Sequence, residues 1–160
     1  MQRPEDMNLT RNAVRIDLTE RIESLKVGIL GAVAAAMAFG MFVLLNTYGL
    51  DHQLPVTGLP TAQDVTSLVI SGAIAKLSGF LFGVTYRYII RQDKNIHLRS
   101  GAVLAFGLVR GLAQVDVAYP QTAWLPLVLM VGESMLLFAI VRIVLDWALA
   151  QQWVKPFQSL

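Results

Sequence analysis

Four long apolar segments, separated by short polar stretches, dominate the hydrophobic pattern of this chain. The first, residues 27–48, contains no charged side chain. A helix rises 1.5 Å per residue, so roughly 20 apolar residues cross a hydrocarbon core about 30 Å thick. The pattern therefore predicts an all-α polytopic membrane protein, with transmembrane helices over residues 27–48, 65–90, 99–116 and 124–150.

The connections between these segments predict how the helices pair. Residues 49–63 contain Pro55, Gly58 and Pro60, which are typical of a turn. A short polar stretch follows the second segment, and Pro120 marks the turn before the fourth. Because short connections join antiparallel neighbours, we expect four helices arranged as two antiparallel hairpins.

The two ends of the chain are more polar than its middle. In residues 1–26 basic and acidic side chains balance, and from about Thr10 the apolar residues recur at helical spacing. This pattern predicts an amphipathic segment that lies on the membrane surface or continues into the first span; a solvated helical extension is the alternative. Residues 151–160 form a C-terminal tail outside the predicted transmembrane domain of residues 27–150.

Basic residues near the span ends predict the orientation of the chain. Lys and Arg are abundant before the first span and in residues 87–99, and the tail contains Lys155, whereas the other two loops have none. Basic loops stay preferentially on the cytoplasmic side. Both termini are therefore expected on that side or its equivalent, such as the stroma.

Composition supports the membrane class and excludes several others. The chain of 160 residues is 55% hydrophobic and 15% charged, and its mean hydropathy is +0.56. A net charge of +2 without a basic patch gives no support to nucleic-acid binding. There is no cysteine, and His52 and His97 fall on opposite sides of the predicted membrane, so no metal site is predicted.

Lys76, Arg110 and Glu133 are three of the charged residues that fall inside the predicted spans. From helical rise, Lys76 lies about 18 Å, Glu133 about 14 Å and Arg110 about 9 Å from the same boundary. We predict a buried charge cluster in which Glu133 neutralises one of the two cations. Three interpretations stay open: a structural ion pair, a surplus cation that meets a carboxylate of another subunit or an anionic lipid, and a proton or anion path.

Small residues predict where helices approach closely. On the second span Gly72, Lys76, Gly79 and Gly83 recur at offsets of three and four, which places them on one stripe. The predicted helix-packing positions are Gly72, Gly79, Gly83, Gly107 and Gly111. Near the end of the fourth span, Arg142 and Asp146 are four residues apart and predict an interfacial ion pair.

Signals for catalysis or cofactor binding are weak. The chain contains no metalloprotease, nucleophile-elbow, phosphate-loop or dinucleotide motif. No cofactor is predicted, although Asn46, Gln114 or Glu133 has the chemistry to bind a chlorophyll magnesium directly or through water. The lipid bilayer is the one partner that the composition itself implies.

Residues 85–111, TYRYIIRQDKNIHLRSGAVLAFGLVRG, resemble a group of small uncharacterised multi-pass membrane proteins of cyanobacteria and chloroplasts. The resemblance implies a thylakoid or plasma membrane location and an accessory role near photosynthetic complexes. The resemblance does not identify any catalytic residue in this chain.

Two functions compete at this level. The glycine stripes, unequal buried charges and lack of an active-site motif favour a non-catalytic accessory or assembly protein that contacts another membrane protein or an anionic lipid. The alternative is a small ion or solute transporter or channel that uses Lys76, Arg110 and Glu133 as a polar path. An enzyme acting on a lipid is a more distant third.

Overall fold

Every regular element in the described part of the computed structural model is helical. The backbone is described for residues 4–50, 65–90, 96–119, 124–151 and 153. Side chains are described for residues 20–48, 65–90, 97–119, 124–151 and 153. A π-helical turn, Asn46–Leu50, follows the first helix. The α-helices are α1 (Pro4–Leu45), α2 (Val65–Ile90), α3 (Ile96–Ala118) and α4 (Trp124–Ala150).

All four helices are long and apolar enough to cross a membrane, which indicates an integral membrane protein. Their apolar spans are Glu20–Tyr48, Val65–Ile90, His97–Ala118 and Trp124–Ala150. The second and fourth have the same limits as the segments expected from the hydrophobic pattern. The third is longer at both ends, because its polar flanking residues continue the helix.

The N-terminal segment is continuous with the first span. α1 runs without interruption from Pro4, so the segment of residues 1–26 belongs to the same helix as far as it is described. The first two residues of the loop expected over 49–63 complete the π-helical turn. His52, the proline-rich remainder of that loop, residues 91–95 and most of the C-terminal tail lie outside the described residues.

The helices pack as two antiparallel pairs. α1 packs most extensively against α2, and α3 against α4, whereas α2 and α3 share a smaller contact. Glu20, at the start of the first apolar span, meets Arg87 near the end of α2. Ser100 near the start of α3 meets Arg142 near the end of α4. We call the end of the bundle that holds these contacts the terminal end.

Aromatic side chains join three of the helices in the core. Phe82 of α2 and Phe138 of α4 are fully buried, with ring centroids 5.2 Å apart. Phe106 of α3 meets Phe82 edge to face at 5.3 Å, and Tyr86 stacks on Phe82 at 5.4 Å. Such pairs add roughly 0.5–1.5 kcal/mol beyond their area burial.

The tightest contact lies between glycines of α2 and small residues of α1. A Cβ added to Gly79 would lie 2.6 Å from the Gly31 carbonyl oxygen and would also overlap Ala35. A Cβ on Gly83 would lie 2.5 Å from the Val27 carbonyl oxygen. Only glycine permits this backbone approach, which we call the α1–α2 seam.

The other glycines expected at helix contacts also face neighbouring helices. Added Cβ atoms at Gly107 and Gly111 would lie 2.8 Å from the Cα atoms of Met135 and Val131 on α4. Gly72 is looser, since its Cβ would lie 3.3 Å from the Phe39 ring. The glycine positions are therefore used for contacts within the chain.

Candidate functional site

A polar cluster lies between α3 and α4, inside the half of the bundle opposite the terminal end. Arg110 Nη1 donates to Ser134 Oγ at 2.9 Å and more weakly to Gln114 Oε1 at 3.4 Å. Ser134 is fully buried, and its hydroxyl donates to Gln114 Oε1 at 3.3 Å. Arg110 and Gln114 share a face because they are one helical turn apart on α3.

Glu133 and Asn46 complete this cluster around a small cavity. The cavity has a volume of about 10 Å³, and its polar lining is Asn46, Arg110, Gln114 and Glu133. That volume is about the minimum for one water molecule. Arg110 Nε is buried and makes no hydrogen bond to any described residue, whereas Glu133 interacts with the Asn46 side chain and is attracted by the charge of Arg110.

Asn46 reaches this cavity on the face of the first helix that already lines it, since Phe39 and Val43 line the same cavity seven and three residues earlier. Asn46 is the first residue of the π-helical turn and is 3% exposed, directly after the α-helical part of the first span. The first span therefore adds a third wall, beside α3 and α4, to the cavity that Arg110 and Glu133 line.

Lys76 does not belong to this cluster, which corrects the predicted group of three. Arg110 and Glu133 line one cavity, but the Lys76 side chain is exposed on the outer surface of α2. Its predecessor Ala75 is 0% exposed and takes the buried position. The α1 backbone lies so close to Gly79 that the adjoining part of α2 has no room for a long inward side chain.

The surface around Lys76 is apolar. We define the Lys76 face as Val69, Ala73, Lys76 and Leu77, all of them exposed. Val69 is 63% exposed and Leu77 is 61% exposed. Among the described residues, Lys76 has no hydrogen-bond or ion-pair partner.

The axial position of Lys76 makes its exposure costly. It lies about 17 Å along α2 from Val65 and about 21 Å from Ile90. Snorkelling to the interface is available to lysines near helix ends, whereas this lysine is near the centre. A lysine left in lipid at the centre of a membrane helix costs about 3 kcal/mol or more, which makes Lys76 the described charge with the largest uncompensated cost.

Arg87, by contrast, is a buried cation with partners on α1. It is 2% exposed, and its Nη2 lies 2.7 Å from Glu20 Oε2. Its Nη1 donates to Ser24 Oγ at 2.5 Å and to the Glu20 carbonyl oxygen at 2.9 Å. Sequence reasoning treated Arg87 only as an orientation signal. The missed signal was spacing, since Arg87 follows Gly79 and Gly83 at intervals of four.

Asp146 is the centre of a second polar group at the terminal end. The predicted pair with Arg142 is present, with Nε 3.5 Å from Asp146 Oδ2. Tyr86 Oη donates to Asp146 Oδ1 at 2.7 Å, and Arg99 Nη1 lies 3.7 Å from the same oxygen. Asp146 thus links α2, α3 and α4, and two guanidinium groups approach one carboxylate.

The described residues contain no group of three or more histidine, aspartate or glutamate side chains arranged to hold a metal ion. His97 is exposed near the start of α3. Arg87 and Asp146 therefore tie helices together, Arg110 and Glu133 enclose a small polar cavity, and Lys76 presents a charge to the outside.

Comparisons with protein-family models, with curated proteins and with solved structures found no match. The class of the protein follows from its own architecture. Its described residues form an all-helical structure with four helices long and apolar enough to cross a membrane.

Proposed function

We propose that this protein is a non-catalytic accessory or assembly protein of a membrane, and that its Lys76 face binds a partner membrane protein. The observation that carries the proposal is the exposed ammonium group near the middle of an apolar helix surface. Charged residues inside membrane spans usually pair with one another or face a cavity. A partner from outside the chain would supply the missing counter-charge.

The proposed partner is a transmembrane helix with an aspartate or glutamate at the depth of Lys76. A carboxylate there would neutralise the ammonium and remove most of the cost of leaving it in lipid. Ala73 lies one turn before Lys76, so its small side chain allows a second helix to approach closely. Val69 and Leu77 would supply apolar contact on either side.

The resemblance of residues 85–111 supports a photosynthetic membrane as the location. We therefore extend the proposal to a thylakoid or plasma membrane, with a photosynthetic complex as the partner and both termini on the cytoplasmic or stromal side. Separation of these membranes followed by immunodetection would test the location. Protease protection of tagged termini would test the orientation.

The partner proposal is tested by native electrophoresis of membranes extracted with a mild detergent. We expect the wild-type chain to migrate in a larger complex, the Lys76→Leu variant to migrate as the free chain, and Lys76→Arg to retain the complex. A photo-crosslinking residue at Leu77 should capture the partner. The same residue at Ile143 of α4, which is 67% exposed, is the matched control.

Two results would contradict this proposal. One is migration of the wild-type chain solely as a monomer in its native membrane. The other is a complex of unchanged size and abundance in the Lys76→Leu variant, because the ammonium would then contribute nothing to the association.

Transport remains a second candidate because of the polar cavity beside Glu133. The buried Arg110 Nε atom, which has no hydrogen-bond partner among the described residues, favours it. The cavity volume of about 10 Å³, with room for about one water molecule, makes it the weaker proposal. We expect ion and solute flux into reconstituted vesicles to be equal for the wild type and Glu133→Gln; a flux that the substitution abolishes would favour transport.

A further inference from the structure

An open groove runs between the end of α2 and the start of α3. It has a volume of about 580 Å³, and most of its lining is apolar. Ligand sites commonly have volumes of roughly 300–1,000 Å³. Residues that line it include Ile89, His97, Leu98, Ala102, Ala105 and Phe106.

The groove exists because α2 and α3 pack less extensively than the other neighbours in sequence. Small residues of α3 leave its floor open. A Cβ added to Gly101 would meet nothing within 4 Å, although Gly101 lines the groove. The cavity is therefore not occupied by side chains of the described part of the protein.

The charge at this end of the bundle is positive. Arg99 and Arg142 share the Asp146 carboxylate, which leaves one positive charge in excess. Arg99 Nε is buried without a hydrogen bond to a described residue.

We infer that this groove binds one acyl chain of an anionic phospholipid, with the head group at the basic terminal end. The groove lies within two helices that are long and apolar enough to cross a membrane, so its apolar lining would face acyl chains. Arg99 follows the groove-lining Leu98 in α3, so the excess arginine charge lies at the axial level of the groove and favours a phosphate over a neutral or cationic group. This site is separate from the Lys76 face, and the inference does not rest on the proposed function.

The test fills the groove without disturbing the helix contacts. Gly101→Leu places a side chain in the open space, and Gly132→Leu is the matched control because an added Cβ there also meets nothing within 4 Å. Each variant is reconstituted in bilayers of equal parts phosphatidylglycerol and phosphatidylcholine. After extraction, native mass spectrometry measures the lipids that remain bound.

We expect the wild type and Gly132→Leu to retain phosphatidylglycerol at least fivefold over phosphatidylcholine, and Gly101→Leu to lose this preference. Ala105→Leu fills the same groove from another position. It replaces Gly101→Leu in the lipid-retention measurement if circular dichroism shows that Gly101→Leu does not fold. Equal retention of the two lipids by the wild type would overturn the inference. The inference would also be overturned if a folded groove-filling variant retained phosphatidylglycerol as the wild type does. A groove-filling variant that changed its oligomeric state without losing bound lipid would overturn it as well.

Discussion

The two faces of α2 each carry a positive charge, but only Arg87 is buried and has partners within the chain. On the α1–α2 seam, the α1 backbone packs directly against Gly79 and Gly83. Arg87 lies on the same face of α2 and contacts α1 through a hydrogen bond and an ion pair. On the other face, Lys76 is exposed among apolar side chains and has no partner in the described residues.

This difference separates charges that stabilise the fold from a charge that is available to a partner. Arg87 has its counter-charge and hydrogen-bond acceptors in the same chain, so its role is explained by helix pairing. Lys76 contributes no described contact to that pairing. The comparison therefore directs the search for function to the outer face of α2.

The largest effect is expected from Arg87→Met. The substitution removes the guanidinium that neutralises Glu20 and bonds Ser24, so it leaves a carboxylate partly buried beside an apolar group. We expect a loss of about 3 kcal/mol in the free energy of unfolding, as for other broken buried ion pairs. Unfolding in mixed micelles, followed by circular dichroism, provides the measurement.

A second substitution distinguishes a lost ion pair from lost packing at Arg87. Combining Arg87→Met with Glu20→Gln removes the unpaired carboxylate, and the double variant should recover part of the stability. A loss below about 1 kcal/mol for Arg87→Met alone would mean that the seam does not depend on this pair.

A somewhat smaller effect is expected from Gly79→Val. The new side chain would overlap Ala35 and the Gly31 carbonyl group and force α1 away from α2. Overpacking of this kind costs about 2 kcal/mol. Gly40→Val is the matched control, because an added Cβ at Gly40 meets nothing within 4 Å. If the two variants had equal free energies of unfolding, α1 and α2 could move apart at the seam without a loss of stability.

Much of the fold follows from the sequence because apolar runs with charged or turn-forming ends define membrane helices closely. The limits of α2 and α4 are examples. The extent of α1 was harder to predict, since its charged N-terminal part lacks a long apolar run and gains continuity from the span that follows it. The π-turn at Asn46 has no local sequence signature of its own.

The candidate site was less predictable because depth along a helix does not determine rotation. Axial estimates placed Arg110 and Glu133 within reach of each other, and the two residues do line one cavity. The same estimates grouped Lys76 with them, yet its side chain lies on the outer surface. The side chain of a residue at the edge of a glycine stripe can point into the bundle or away from it. At Lys76 the close approach of α1 to Gly79 leaves no room inside, so the side chain points outward.

The smallest effect on stability is expected from Lys76→Leu, and this result would sharpen the comparison most. An exposed side chain without described partners can be replaced with a change of about 0.5 kcal/mol or less in the free energy of unfolding. The variant should therefore unfold like the wild type in micelles while losing its complex in native membranes. A loss of 2 kcal/mol in micelles would reveal a stabilising role within the chain and assign Lys76 to the fold, as for Arg87. Lys76→Arg, which keeps the charge, should match the wild type in both measurements, because the proposed contact depends on the positive charge.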